Sequence, residues 1–97
     1  MRILVFDYGF CNFHNLISLV EDGHRVYVIS THNFAPKRFF NSLGIKILDE
    51  GIAIRDSKIL EWIDISDIDI VIMTNPRRLS LRRAIELKGI EVIGLTN

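Results

Sequence analysis

The stretch "RILVFDYGFCNFHNLISLVEDGHRVYVIS", Arg2 to Ser30, decides the fold. Arg2 to Phe6 is a compact β-branched and apolar run, the pattern of a strand covered on both faces. Phe13, Leu16, Ile17, Leu19 and Val20 then fall on one face of a helix. Asn12 stands where an N-cap belongs, and Gly23 where a C-cap glycine belongs. His24 to Ser30 returns to a strand pattern. Strand, helix and strand in this order form a right-handed crossover between parallel strands.

The alternation continues outward from this unit. Pro36 is expected to open a short helix ending at Gly44, with Phe39, Phe40 and Leu43 as its buried side. Ile45 to Glu50 reads as the third strand. A short helix is expected at about Ser57 to Ile63, capped by Asp56 or Ser57. Asp67 to Thr74, "DIDIVIMT", is the clearest strand, and a helix from about Leu79 to Lys88 follows, capped by Gly89. Ile90 to Leu95 closes the series. The expected fold class is α/β: one Rossmann-like, doubly wound sheet of about five parallel strands, with residues 1–97 forming a single domain.

Composition sets limits on function. The 97 residues are enough for one small domain, and 48% are apolar, so a real core is affordable. Twelve basic and twelve acidic residues cancel. A general nucleic-acid binder would be basic overall, and a membrane-surface anchor polybasic. Cys11 is the only cysteine, so no intrachain disulfide forms and no zinc-type cysteine cluster exists. The longest apolar run, Ile68 to Met73, is interrupted by Asp69 and is too short to span a bilayer. The N-terminus enters a strand pattern without a signal-peptide layout. A reducing cytoplasm is the expected compartment, and neither a membrane nor a nucleic acid is an expected partner.

In an open parallel sheet, ligands bind outside the carboxyl ends of the strands, at the topological switch point. That rule selects Asp7–Asn12, Ser30–Asn33, Asp49–Gly51 and Thr74–Arg78, with Thr96 and Asn97 past the last strand. In the first loop Gly9 permits a tight turn, and the N–H groups of Phe10 to His14 open a helix. Such a helix start attracts anions. Two readings stand: phosphate or carboxylate binding by Gly9, Phe10, Cys11 and Asn12 with His14 and Asn15 in support, or a plain capped turn. Only Gly9 of a GxGxxG fingerprint is present. Asp7 is suited to a ribose hydroxyl or a metal, and equally to capping its own turn. His14 is read as a hydrogen-bonded structural histidine. Cys11 has no recognisable catalytic partner, so no catalytic residue and no metal site are assigned.

The second candidate loop brings Thr74, Asn75, Arg77 and Arg78 to the same edge. Guanidinium groups suit phosphate and carboxylate. Arg82 and Arg83 are expected to form a solvated basic face. Asp49 to Asp69 holds seven acids against two bases, so this acidic segment and the basic helix offer a route to a homodimer. Trp62 is expected in the core or in a subunit interface. No acid stands between Tyr27 and Ser42, where an NAD-binding carboxylate would lie. No cofactor is named.

Two resemblances join these readings. "FCNFHNL", with His14 and Leu16, and "DIVIMTNPRRLSLRRAIELKGIEVIGLTN", with Pro76 and Leu79, follow the layout of another family. That layout resembles the N-terminal, pre-ATP-grasp domain of phosphoribosylamine–glycine ligase and its ATP-grasp relatives. The resemblance implies a Rossmann-like domain that helps to bind an amine substrate and its phosphate, while a following ATP-grasp domain holds ATP and magnesium. The family's loop glycines, arginine and glutamate are replaced here. "FDYGFCNFHNLISLVEDGHRVYVIS" is also similar to the opening of class I glutamine amidotransferases, but their Gly-x-Cys-x-Gly and His-x-Glu motifs are absent. The expected function is a stand-alone binding domain for a phosphorylated small molecule, a nucleotide or sugar phosphate, without turnover on its own. The alternatives are a substrate-binding subunit acting with a separate ATP-grasp chain, and a ligand-free interaction module.

Overall fold

The computed structural model describes residues 1–9, 13–33, 37–55, 57–75 and 77–94. Phe10, Cys11, Asn12, Pro36, Asp56, Pro76, Leu95, Thr96 and Asn97, each given a part above, lie outside the described residues. The strands are β1 (Arg2–Asp7), β2 (Arg25–Ser30), β3 (Ile45–Asp49), β4 (Ile70–Met73) and β5 (Glu91–Gly94). The helices are α1 (Phe13–Glu21), α2 (Lys37–Ser42) and α3 (Leu79–Leu87), with a 3-10 turn at Ser57–Glu61. All five strands are parallel, in the order β3-β2-β1-β4-β5.

Period-two alternation sorts the core into two layers. Leu4 and Phe6 of β1 join Ile29, Val71 and Met73 on one face, under Leu81 and Ile85 of α3 and Ile59 of the 3-10 turn. Ile3 and Val5 join Val26, Val28, Ile45 and Ile47 on the other, under Leu16 of α1 and Phe40 of α2. The sheet is therefore doubly wound. Residues Ile3 to Asp7 are all buried, which explains why β1 reads as a continuous apolar run rather than an alternating one. Truncating Phe6 to Ala would cost about 3–5 kcal/mol.

Gly23 terminates α1 as read from the sequence. It has φ +90°, its N–H bonds the Val20 carbonyl, and the His24 N–H reaches back to Leu19. These paired bonds form a Schellman motif, which needs the left-handed conformation that glycine adopts freely.

Four local expectations change. β4 begins at Ile70 rather than Asp67, because Ile68 closes a turn onto Ile65. Asp69 then latches onto Arg2, donating its N–H to the Arg2 carbonyl and accepting the Arg2 N–H on its carboxylate. The third helix is a 3-10 turn that stops at Glu61, since Ile54, Ile59 and Ile65 enter the core singly instead of forming a helical stripe. Trp62, just beyond it, is 79% exposed and so is not in the core. In α2 Phe40 is buried and Leu43 half-buried, while Phe39 is exposed and meets Phe40 edge-on.

Candidate functional site

The chain leaves β1 toward β2 on one side and leaves β4 toward β5 on the other, so the order reverses between β1 and β4. This is the switch point, and the loops after β1 and β4 flank it. The carboxyl edge of the sheet therefore has two parts: the β1-β2-β3 side and the β1/β4 crevice.

The first part is closed by its own hydrogen bonds. Asp7 ends β1 only 3% exposed. Its Oδ1 accepts the Gly9 N–H at 2.9 Å, and its Oδ2 accepts the Ser30 hydroxyl at 2.9 Å. Ser30 Oγ in turn accepts the His32 N–H at 3.0 Å. Because Asp7 and Ser30 are register partners at the ends of adjacent parallel strands, this chain ties the two turns together. The Thr31 N–H donates to the Asp7 carbonyl, and the Gly51 N–H to the His32 carbonyl, which brings in the loop after β3. Gly9 has φ +100°, and a β-carbon there would stand 2.6 Å from His32 Cε1. Backbone shape thus requires glycine, and a side chain there would also have to push the exposed imidazole aside. Asp7 holds the backbone of its own turn here, and a buried carboxylate in charge-assisted hydrogen bonds is a strong fastener.

The second part is built differently. The Tyr8 N–H donates to Thr74 Oγ1 at 2.8 Å and the Thr74 N–H to the Phe6 carbonyl, which joins the two sides of the crevice. Asn75 Oδ1 accepts the Arg77 N–H at 3.2 Å and shapes the turn into α3. Arg78 is the N-cap residue of α3 and supplies no side-chain cap. The first turn of α3 contains no acid either. Arg77 and Arg78 are both exposed. Two cations at the positive end of a helix dipole oppose helix stability. The Leu79 N–H already donates to the Arg77 carbonyl at 2.9 Å, so it is the next N–H groups, of Ser80 and Leu81, that require acceptors.

Tyr8 faces the core layer under α3, and its hydroxyl is buried without a hydrogen-bond partner among the described residues. Burial pushes that hydroxyl up to about 12, against a smaller opposing pull from the Arg78 guanidinium. It is therefore protonated at neutral pH, a donor awaiting an acceptor. Sequence reading passed over Tyr8, and also Ser30 as the partner of Asp7 and His32 as the partner of Ser30. Ser30 becomes the partner of Asp7 through the register of β1 against β2, which the structure sets. Nothing in the sequence distinguishes a buried tyrosine hydroxyl from an exposed one.

Of the residues singled out in the sequence, Asp7 and Gly9 fall on the fastened side, and Thr74, Asn75, Arg77 and Arg78 at the crevice. His14 is exposed in the first turn of α1, with its carbonyl accepting the Ser18 hydroxyl at 2.9 Å. Phe10, Cys11 and Asn12 lie outside the described residues. No helix among the described residues is long and apolar enough to cross a membrane. No family model, curated protein or solved structure matches this chain.

Proposed function

We propose that this chain binds a small phosphorylated ligand, a nucleotide or sugar phosphate, in the crevice between the loops after β1 and β4. The observation that carries the reading is the start of α3. It lies at the switch point with no capping side chain and no acid in its first turn, and Arg77 and Arg78 stand beside it. A phosphate there offsets the two guanidinium charges, accepts from backbone donors and meets the helix dipole favourably. The resemblance to pre-ATP-grasp domains supports the same ligand class, since those domains help to hold a phosphorylated amine.

Thermal unfolding of the purified chain against a panel of nucleotides and sugar phosphates tests this. A ligand at one hundred times its dissociation constant adds about 2.7 kcal/mol of stability. Arg77→Ala with Arg78→Ala removes that gain while leaving the unliganded melting point close to wild type. No stabilisation by any phosphorylated compound rejects the reading.

A further inference from the structure

The sheet face under α3 is a ridge beside a hollow. α3 stands over β4 and β5, with Leu81 and Ile85 pressed into the core. Over β2 and β3 the same face receives, among the described residues, only the 3-10 turn and its flanking loop. What remains is a hollow of about 360 Å³ lined by Ile29, Leu48, Ile52, Trp62 and Ile63, with Asp49 and Asp64 in its wall. A smaller hollow of about 200 Å³ continues it past Tyr27 and Ile68.

The outer side of α3 is also unfinished. Leu79, Arg83 and Leu87 are spaced by four, so they form one stripe about half a turn away from Leu81 and Ile85. Leu79 is 55% exposed and Leu87 is 88% exposed. An arginine flanked by two exposed leucines differs from an ordinary solvated helix face.

We propose that the hollow is filled by the α3 ridge of a second copy of this chain. Ridge and hollow share one sheet face, at opposite ends of the strand order. A two-fold axis running along the strands therefore sets each ridge against the other copy's hollow, and the contact closes as an isologous dimer. Charge agrees with shape. The hollow's wall presents Asp49 and Asp64, with Glu61 and the chain's own Lys88 nearby, while Arg2 is engaged by Asp67 at 3.3 Å. Lys46 is the one base on β3. The entering stripe is centred on Arg83, and Arg77 and Arg78 stand at its leading end. Opposed charges fix the orientation, while Leu87, Leu79, Trp62 and Leu48 supply the apolar contact.

Sedimentation across a dilution series reads the outcome, because the 11.2 kDa chain and a dimer of twice that mass separate well. Trp62 is the only tryptophan, so its emission shifts to the blue as the dimer forms. Leu87→Glu is expected to abolish both signals without unfolding a residue that touches little. Arg83→Glu alone and Asp64→Arg alone weaken the dimer at least tenfold, and the two together restore it. A chain that stays at 11.2 kDa at every concentration overturns the proposal. So does assembly beyond two copies, or a dimer indifferent to Leu87→Glu and to both charge reversals.

Discussion

The two sides of the carboxyl edge solve the same polar problem in opposite ways. On the β1-β2-β3 side, the Gly9 N–H and the Ser30 hydroxyl are both accepted by the buried Asp7 carboxylate, and the His32 N–H by the Ser30 hydroxyl. At the β1/β4 crevice, a buried tyrosine hydroxyl has no partner among the described residues, and a helix begins without a side-chain cap just after two exposed arginines. The first arrangement gains stability from its polar groups. The second forgoes stability that a single Asp or Ser at the N-cap would supply, about 1 kcal/mol. Polar groups left unsatisfied at a switch point are expected where a ligand completes them, and those satisfied internally are expected where the scaffold must hold still.

Substitutions can break this contrast, and the largest effect belongs to the fastened side. Asp7→Ala leaves the Gly9 N–H and the Ser30 hydroxyl without their acceptor, and charged hydrogen bonds of this kind are worth about 1.5–3 kcal/mol each. A loss of about 3 kcal/mol is expected in urea unfolding, with Asp7→Asn intermediate because one acceptor oxygen remains. Unchanged stability of Asp7→Ala would remove the structural reading of that carboxylate. Gly9→Ala comes next, at about 2 kcal/mol, combining left-handed backbone strain with displacement of the His32 ring. Gly23→Ala is the control. It carries similar strain at φ +90° but meets nothing within 4 Å, so it should cost about half as much.

On the crevice side the effects on stability are small. Arg77→Ala and Arg78→Ala are each expected to change stability by less than about 0.5 kcal/mol, since both are exposed surface positions. Arg78→Asp should raise the melting temperature slightly by supplying the missing cap, while abolishing anion binding. Tyr8→Phe is expected to be neutral at pH 7 and to act at alkaline pH. The folded hydroxyl titrates near 12 and the unfolded one near 10. Tyr8 therefore contributes stability fully below pH 10 and loses it as the pH rises toward 12. Urea midpoints measured across that window should fall less steeply in Tyr8→Phe than in wild type.

The strand framework was legible from the sequence because parallel strands buried on both faces leave continuous apolar runs, and glycines punctuate the helices between them. Arg2–Phe6 and His24–Ser30 each lie within one residue of the observed strand. The segment after β3 was harder to read. Ile54, Ile59 and Ile65 plug the core at irregular spacing, which periodicity does not detect, and Trp62 was read as a residue of the core or of a subunit interface, of which the core is excluded by its exposure. The site was half legible. Its location follows from topology alone, and so Thr74, Asn75, Arg77 and Arg78 could be named. The partners of Asp7 and the stranded hydroxyl of Tyr8 depend on register and depth, which one sequence does not contain.

The central claim is that the start of α3 is an anion site while the Asp7 turn is not. Amide chemical shifts of isotopically labelled protein, followed during titration with inorganic phosphate and then with a nucleoside monophosphate, test it most directly. Saturable movement of the Tyr8, Arg78, Ser80 and Leu81 amides, with Thr31 and His32 unmoved, is the predicted result. Movement confined to other parts of the chain, or none with either ligand, would contradict the account.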